Sequence, residues 1–160
     1  LLFPPRRLMD YRLMKLTFRM ENARAEKNFN WLVYDRETGK MTFVFNRYKT
    51  SKIYKTQVFS VPDDLARVLK SRVQATVPER DFIFVASENA NLSYILKAAF
   101  KKVSGRGIST NILRHSFISH LDETRYFRTY ADRVDIAKKM GHSVDTQLMY
   151  VKRKPQIDMK

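Results

Sequence analysis

The chain contains no cysteine, only 4 glycines and half as many acidic residues as basic ones. Without cysteine, disulfide-stapled folds and cysteine-based zinc sites are excluded. No Gly/Ser-rich linker, repeat or low-complexity tract divides the sequence. Its apolar runs are too short for a membrane span or a signal peptide, so neither is predicted. The lack of cysteine also fits an intracellular protein.

The chain has 160 residues, 44% of them hydrophobic, which is enough for one domain with one core. It carries 31 Lys and Arg against 16 Asp and Glu, a formal net charge of +15. A surplus of this size favours a polyanionic partner, nucleic acid first and an anionic membrane second. The sequence starts without methionine, and we expect it to be the C-terminal part of a longer protein.

The first part of the chain predicts a short helix followed by a small sheet. Residues 6–16 have apolar side chains at helical spacing and follow two prolines. Residues 29–35, 41–48 and 53–61 are rich in β-branched and aromatic residues and are joined by short polar segments. They predict a three-stranded antiparallel meander.

The rest of the chain predicts helices, with one short buried strand over residues 82–85. Apolar side chains at helical spacing predict helices over residues 63–75, 92–103, 110–122, 131–140 and 144–152. The fold class is therefore α+β, mostly helical with a small sheet. The single Trp31 lies in a predicted strand, where we expect it to belong to the core.

Polar residues suited to phosphate chemistry are concentrated between residues 109 and 150. Asn111, Arg114 and His115 lie three and four positions apart, so they share one side of a predicted helix. His142 follows a glycine that ends the next helix, and Tyr150 comes eight residues later. Guanidinium groups match the oxygens of a phosphodiester, and a tyrosine hydroxyl can serve as its nucleophile.

The segments LRHSFISH and AKKMGHS, followed by Tyr150, resemble the catalytic domain of tyrosine recombinases, the phage-integrase family. With PPRR near the start and NRYKTSK in the hairpin, the sequence is most similar to integrases of virophages and large DNA viruses. The resemblance implies that residues 1–160 form a single catalytic domain, and that an N-terminal domain which clamps DNA is absent. It implies no metal or other cofactor.

Three of the family's functional residues are matched in the second half of the chain. The resemblance implies that Tyr150 is the nucleophile and that Arg114 is the second arginine of the site. It implies that His142 donates a hydrogen bond to the phosphate. His115, which follows this arginine as it often does in the family, is expected to support the site.

The remaining positions are matched less uniquely. Lys49 at the hairpin tip corresponds to the lysine that protonates the leaving oxygen, with Lys52 as its neighbour and rival. Arg7 corresponds to the first arginine because Asp10 lies three residues on, where the family has a supporting acid. Arg6 is the alternative.

Two features depart from the family pattern. Asn111 stands where the family usually has His or Lys, and an amide cannot shuttle a proton near neutral pH. The eight-residue interval from His142 to Tyr150 is one residue shorter than expected for the family.

The sequence therefore leads to one principal function and two alternatives. The principal one is a site-specific DNA recombinase or integrase that cleaves and rejoins DNA through a 3′-phosphotyrosine. The alternatives are type IB topoisomerase-like relaxation and a non-catalytic basic DNA-binding module. The resemblance implies that the partners are double-stranded DNA and three further protomers, with no membrane. It implies an intracellular viral or mobile-element protein that acts on DNA.

Overall fold

The computed structural model describes residues 2–12, 14–85 and 91–151. These form a mixed α+β fold in which short strands and helices alternate in the first half and helices follow. In chain order the elements are α1 (Leu8–Arg12), β1 (Met14–Thr17), α2 (Met20–Ala25), β2 (Asn30–Tyr34), β3 (Met41–Phe45), α3 (Ser51–Tyr54), β4 (Gln57–Ser60), α4 (Asp63–Gln74), α5 (Leu92–Ser104), α6 (Thr110–Glu123), α7 (Tyr130–Met140) and α8 (Val144–Leu148).

The sheet has four strands in the order β1-β2-β3-β4, so the prediction of a three-stranded, wholly antiparallel sheet is wrong because it omits β1. The antiparallel meander predicted for the other three strands is confirmed as β2, β3 and β4. The outer strand β1 runs parallel to β2, while β2–β3 and β3–β4 are antiparallel. The parallel pair is connected by a crossover that contains α2. Parallel strands cannot be joined by a tight turn, and this is why a pattern of local hairpins does not show the pairing.

Strand β1 replaces the second half of the predicted helix over residues 6–16. Helix α1 covers only one turn, and the chain then becomes extended. Met14 and Leu16 are fully buried and the residue between them is half-buried, which is the two-residue period of a strand. Their burial in the sheet core therefore outweighs the helical spacing of the local sequence.

The predicted strand over residues 53–61 divides into a helical turn, α3, and the shorter strand β4. Lys55 separates them with a φ of 56°, a left-handed conformation that no strand contains. The Tyr48 hydroxyl donates to the Lys55 carbonyl over 2.7 Å and closes this loop. Residues 82–85 form no regular strand. Phe82 makes an isolated bridge to Lys15, and the Ile83 amide donates to the Met14 carbonyl.

The predicted helices from residue 63 onward are confirmed as α4 to α8, with ends that differ by one residue except at α8. Helix α8 ends at Leu148 rather than at residue 152, and residues 152 and beyond lie outside the described part of the chain. In the ranges described above, no helix is long and apolar enough to cross a membrane.

The core has a sheet part and a helical part. The sheet part joins buried side chains of β1, β2 and β3 to Leu69 and Val73 of α4. Trp31 is buried beside it, as predicted, and its indole Nε1 donates to the Glu26 carbonyl. The helical part contains Ile118, Ile136 and Met140, with Tyr150 packed against them. Tyr150 thus lies where α6, α7 and the end of α8 meet.

Candidate active site

Arg114 lies in the second turn of α6, and its side chain extends into the protein, where it is fully buried. Helix α6 begins at a proper cap, since the Ser109 side chain accepts a hydrogen bond from the Ile112 amide. Asn111, three residues before Arg114, is exposed at the start of the same helix. No side chain in the described ranges hydrogen-bonds to Asn111, so it is not joined to the buried arginine.

The guanidinium of Arg114 divides its donors between backbone and tyrosine. Nη1 donates to the carbonyls of Pro5 and Met140 over 2.9 and 3.1 Å. Nε and Nη2 both lie 3.4 Å from the hydroxyl oxygen of Tyr150. Burial lowers the pKa of Arg114, and the hydrogen bond to Tyr150 opposes that effect. An arginine still stays charged at neutral pH, so a cation faces the tyrosine hydroxyl.

Tyr150 is held through its backbone as well as its hydroxyl. Its carbonyl oxygen lies 3.2 Å from Nδ1 of His115 and 3.4 Å from Oγ of Ser119, both on α6. The ring of His115 meets the tyrosine ring edge-on, with centroids 4.5 Å apart. The expected supporting position of His115 is therefore observed as contact with the tyrosine itself.

The C-terminal end of α7 forms the other side of the site. The helix starts with a capping box between Thr129 and Asp132 and ends at Gly141, whose φ is 69°. Four successive carbonyls at this end, of residues 138–141, accept side-chain hydrogen bonds. The donors are Arg6 to Lys138 and Lys139 (3.5 and 2.9 Å), Arg114 to Met140 (3.1 Å), and Arg7 and Thr50 to Gly141 (2.9 and 3.1 Å). Three cations therefore meet the negative end of one helix dipole.

His142 follows this helix end and is only 2% exposed. Its Nδ1 lies 2.9 Å from the Ser143 carbonyl, which can only accept, so Nδ1 carries the proton. Its Nε2 is buried and has no partner in the part of the chain described here. Burial is the largest cause that lowers the pKa of His142, the charges of Arg114, Arg7 and Arg6 act in the same direction, and the hydrogen bond to the Ser143 carbonyl opposes them; together they bring the pKa to about 4. At neutral pH, Nε2 is thus a hydrogen-bond acceptor. The ring centroids of His142 and Tyr150 are 5.4 Å apart.

The two neighbouring arginines at the start of the chain have different environments. Arg6 is fully buried and forms the ion pair with Asp10, with Nε and Oδ2 2.8 Å apart. The expectation that Asp10 supports Arg7 therefore does not match the ion pair that is observed. Arg7 is half-buried, and its charge contributes to lowering the pKa values of Arg114 and His142.

The two candidate lysines lie on the segment that follows β3. Lys49 is exposed, and the next residue, Thr50, hydrogen-bonds to the Gly141 carbonyl. Lys52 is exposed within α3. The segment is thus tied to the site next to Lys49, which leaves the lysine side chain free to reach a bound molecule.

No protein-family model and no curated protein sequence matches the chain. Among solved structures, the crystal structure of XerA recombinase superposes with a TM-score of 0.59 at 16% sequence identity. The two chains share a fold. The superposition covers 96% of this chain and 51% of XerA, so the chain spans about half the length of that recombinase.

The shared fold confirms the recombinase-like architecture expected from the sequence, although not the details of its sheet. The structure brings together Arg7, Arg114, His142 and Tyr150, and it leaves Asn111 outside. In the described ranges, no group of three His, Asp or Glu side chains is placed to hold a metal ion.

Sequence reasoning missed Thr50 and the clustered carbonyls of α7. Nothing in the sequence marks Thr50, because its contact with Gly141 joins residues 91 positions apart. The carbonyl cluster could have been suspected from the glycine that ends α7, since a helix end always leaves unpaired carbonyls.

Proposed function

We propose that the chain is the catalytic domain of a tyrosine recombinase that cleaves and rejoins double-stranded DNA through a covalent 3′-phosphotyrosine. The observation that carries the proposal is the Tyr150 hydroxyl lying 3.4 Å from both Nε and Nη2 of the buried Arg114. That edge of a guanidinium is the one that binds a phosphate oxygen pair. The recombinase-like fold supports the same reading.

The phosphate is held by arginines that are in place before DNA binds. The Nε–Nη2 edge of Arg114, which the Tyr150 hydroxyl occupies in the structure, binds the non-bridging oxygens when DNA arrives. The half-buried Arg7 uses Nη1 for the Gly141 carbonyl and offers its other donors to the same oxygens. Negative charge on these oxygens grows as the tyrosine attacks, so fixed cations stabilise the transition state more than the ground state. The carbonyls of α7 fix Arg114 and Arg7 without neutralising them.

The proton of the Tyr150 hydroxyl needs an acceptor as the phenolic oxygen bonds to phosphorus. Asn111 cannot take it. His142 has an unprotonated Nε2 and a ring centroid 5.4 Å from that of Tyr150, and in this proposal it accepts the proton once the negative phosphate offsets the arginine charges that lower its pKa. His142, once protonated, can donate to a phosphate oxygen, which is the role that the family resemblance gives it. One residue thus takes the proton and then stabilises the charge.

The bond from phosphorus to the 5′-oxygen breaks as the bond to Tyr150 forms. The leaving oxygen takes a proton from the Lys49 ammonium group, a general acid carried on the segment anchored by Thr50. A second DNA end with a free 5′-hydroxyl reverses the steps. Four protomers and two duplexes assemble for exchange, and an N-terminal domain outside this chain closes the clamp on DNA in a viral or mobile-element setting.

The test incubates supercoiled plasmid with the protein in EDTA and separates protein-linked DNA on a denaturing gel. Tyr150→Phe removes only the nucleophilic oxygen, and Tyr130→Phe, at a residue 71% exposed, is the matched control. We expect an adduct from the wild type and from Tyr130→Phe, and none from Tyr150→Phe. Relaxation without exchange of strands would support a type IB topoisomerase instead.

Intact DNA binding with no adduct, both from this chain and from a longer protein that includes the preceding domain, would refute the proposal. It would favour the non-catalytic DNA-binding module. The high positive charge predicts that binding weakens steeply with salt in every case, so salt dependence alone does not separate the alternatives.

A further inference from the structure

Arg6 is a buried cation whose contacts join three parts of the molecule. Arg6 has no solvent-exposed surface. Nε binds Asp10 of α1, and Nη1 donates over 2.9 Å to the side-chain oxygen of Gln57 on β4. The same Nη1 donates over 2.9 Å to the Lys139 carbonyl at the end of α7. The guanidinium also lies 4.0 Å from the ring centre of Phe45 on β3.

The guanidinium of Arg6 is packed directly against Gly141. A Cβ atom built on Gly141 would lie 2.7 Å from Nη2 of Arg6, closer than real Cβ atoms approach, and 3.1 Å from its Cζ. The carbonyl of Gly141 accepts from Arg7, and the residue that follows is His142. A shift of Arg6 would therefore move the backbone that carries both the Arg7 contact and the histidine.

Arg6 has no route to DNA in this arrangement. Its Nε and Nη1 are occupied by protein groups, and Nη2 is buried against Gly141. A phosphate oxygen would have to displace the end of α7 to reach it. The exposed part of the neighbouring Arg7 has no such barrier.

We infer that Arg6 is a positioning residue of the active site, which fixes the Gly141–His142 turn against the sheet so that Arg7, His142 and Arg114 converge on Tyr150. The inference rests on the proposed function and deepens it, because it divides the roles of the two adjacent arginines. Arg7 contacts the phosphate, and Arg6 acts through the end of α7.

The test compares Arg6→Met, Arg6→Lys and a control, Arg36→Met. Arg36 also stacks on an aromatic ring, that of Phe18, but lies in the exposed turn between β2 and β3. Adduct formation on plasmid is timed with enzyme in excess, and affinity is measured on a labelled duplex at fixed salt. We expect Arg6→Met to slow adduct formation roughly tenfold or more while the Kd changes less than about twofold. Arg36→Met should change neither.

A second pair of variants detects the packing against Gly141. Gly141→Ala should slow adduct formation in both backgrounds, because alanine is strained at a φ of 69°, and it should do so more strongly in the wild type, where its methyl group also meets the guanidinium. In the Arg6→Met background the same change should have a smaller effect, since the guanidinium is gone. Equal effects in the two backgrounds, or parallel losses of rate and affinity in Arg6→Met, would overturn the inference. Recovery of the rate in Arg6→Lys supports a role for the buried charge.

A spectroscopic readout separates this inference from the proposed function. The imidazole ¹⁵N shifts of His142 report which nitrogen carries the proton and do not require catalysis. Arg6→Met should alter these shifts and Arg36→Met should not. Unchanged shifts in a folded Arg6→Met protein would overturn the positioning role even where the wild type forms an adduct. Altered shifts with no adduct from the wild type would refute only the proposed function.

Discussion

Protonation of His142 should destabilise the fold as pH falls, and the size of the effect follows from its environment. The imidazole is buried, bonded through Nδ1–H to the Ser143 carbonyl, and close enough to Arg114, Arg7 and Arg6 to feel their charge. These surroundings lower its pKa from 6.5 to about 4 in the folded state. Between pH 6.5 and about pH 4, His142 binds a proton in the unfolded chain but not in the folded chain. The free energy of unfolding therefore falls as the pH falls through this range.

For one group with this shift, the free energy of unfolding should drop by about 2.5 kcal/mol from about pH 7.5 to about pH 4.5. The assay is urea denaturation across this range, with wild type compared with His142→Asn. Asparagine can still donate to the Ser143 carbonyl from the position of Nδ1, but it does not titrate. His120→Asn, at an exposed histidine late in α6, serves as the control for loss of a histidine.

Asp10 makes the comparison between variants necessary. Burial raises its pKa, although the charge of Arg6 opposes the effect. A raised carboxyl pKa contributes stability at low pH that is lost as pH rises, the opposite sign to His142. The difference between wild type and His142→Asn cancels this contribution. A difference that stays flat across the range would refute the assignment of His142 as a buried neutral histidine.

Two further predictions concern the buried Asn30 and the proposed general acid Lys49. Asn30 is fully buried, donates to the carbonyls of Asp10 and Arg47, and accepts from the amides of Asn46 and Arg47. Asn30→Ala should therefore lower the free energy of unfolding by about 3 kcal/mol, measured by urea denaturation. A loss below about 1 kcal/mol would contradict this prediction. Lys49→Ala should slow adduct formation on ordinary DNA but not on DNA with sulfur at the leaving 5′-position, because a thiolate leaves without a proton. Lys52→Ala is the control. If the sulfur substrate restored adduct formation to Lys52→Ala rather than to Lys49→Ala, Lys52 would be the general acid instead of Lys49.

The helical half of the fold could be predicted because its signals are local. Helices α4 to α7 each show their apolar spacing and their end signals within one segment, such as the acidic first turn of α4 and the glycine after α5. Strand β1 has no such local signal. Its residues continue the helical spacing of α1, and they become a strand because they pair in parallel with β2 across a crossover.

The candidate site could be predicted as a set of residues more readily than as an arrangement. The order of Arg114, His142 and Tyr150 is visible in the sequence, and the structure brings the three together. The sequence does not show which of Arg6 and Arg7 is buried, since adjacent arginines have the same local sequence context. The choice depends on the end of α7, more than 130 residues away.

The eight-residue interval between His142 and Tyr150 is spanned by α8 and by a tightened turn after it. The helix has only five residues, and its last turn tightens, because the Tyr150 amide bonds to the Gln147 carbonyl and the Val151 amide to the Leu148 carbonyl. Such three-residue spacing advances the chain farther per residue than an α-helix does. The turn therefore carries the chain from the end of α8 back to α6 within eight residues of His142. The interval is long enough for the tyrosine hydroxyl to reach the guanidinium of Arg114, which is the contact that the proposed mechanism requires.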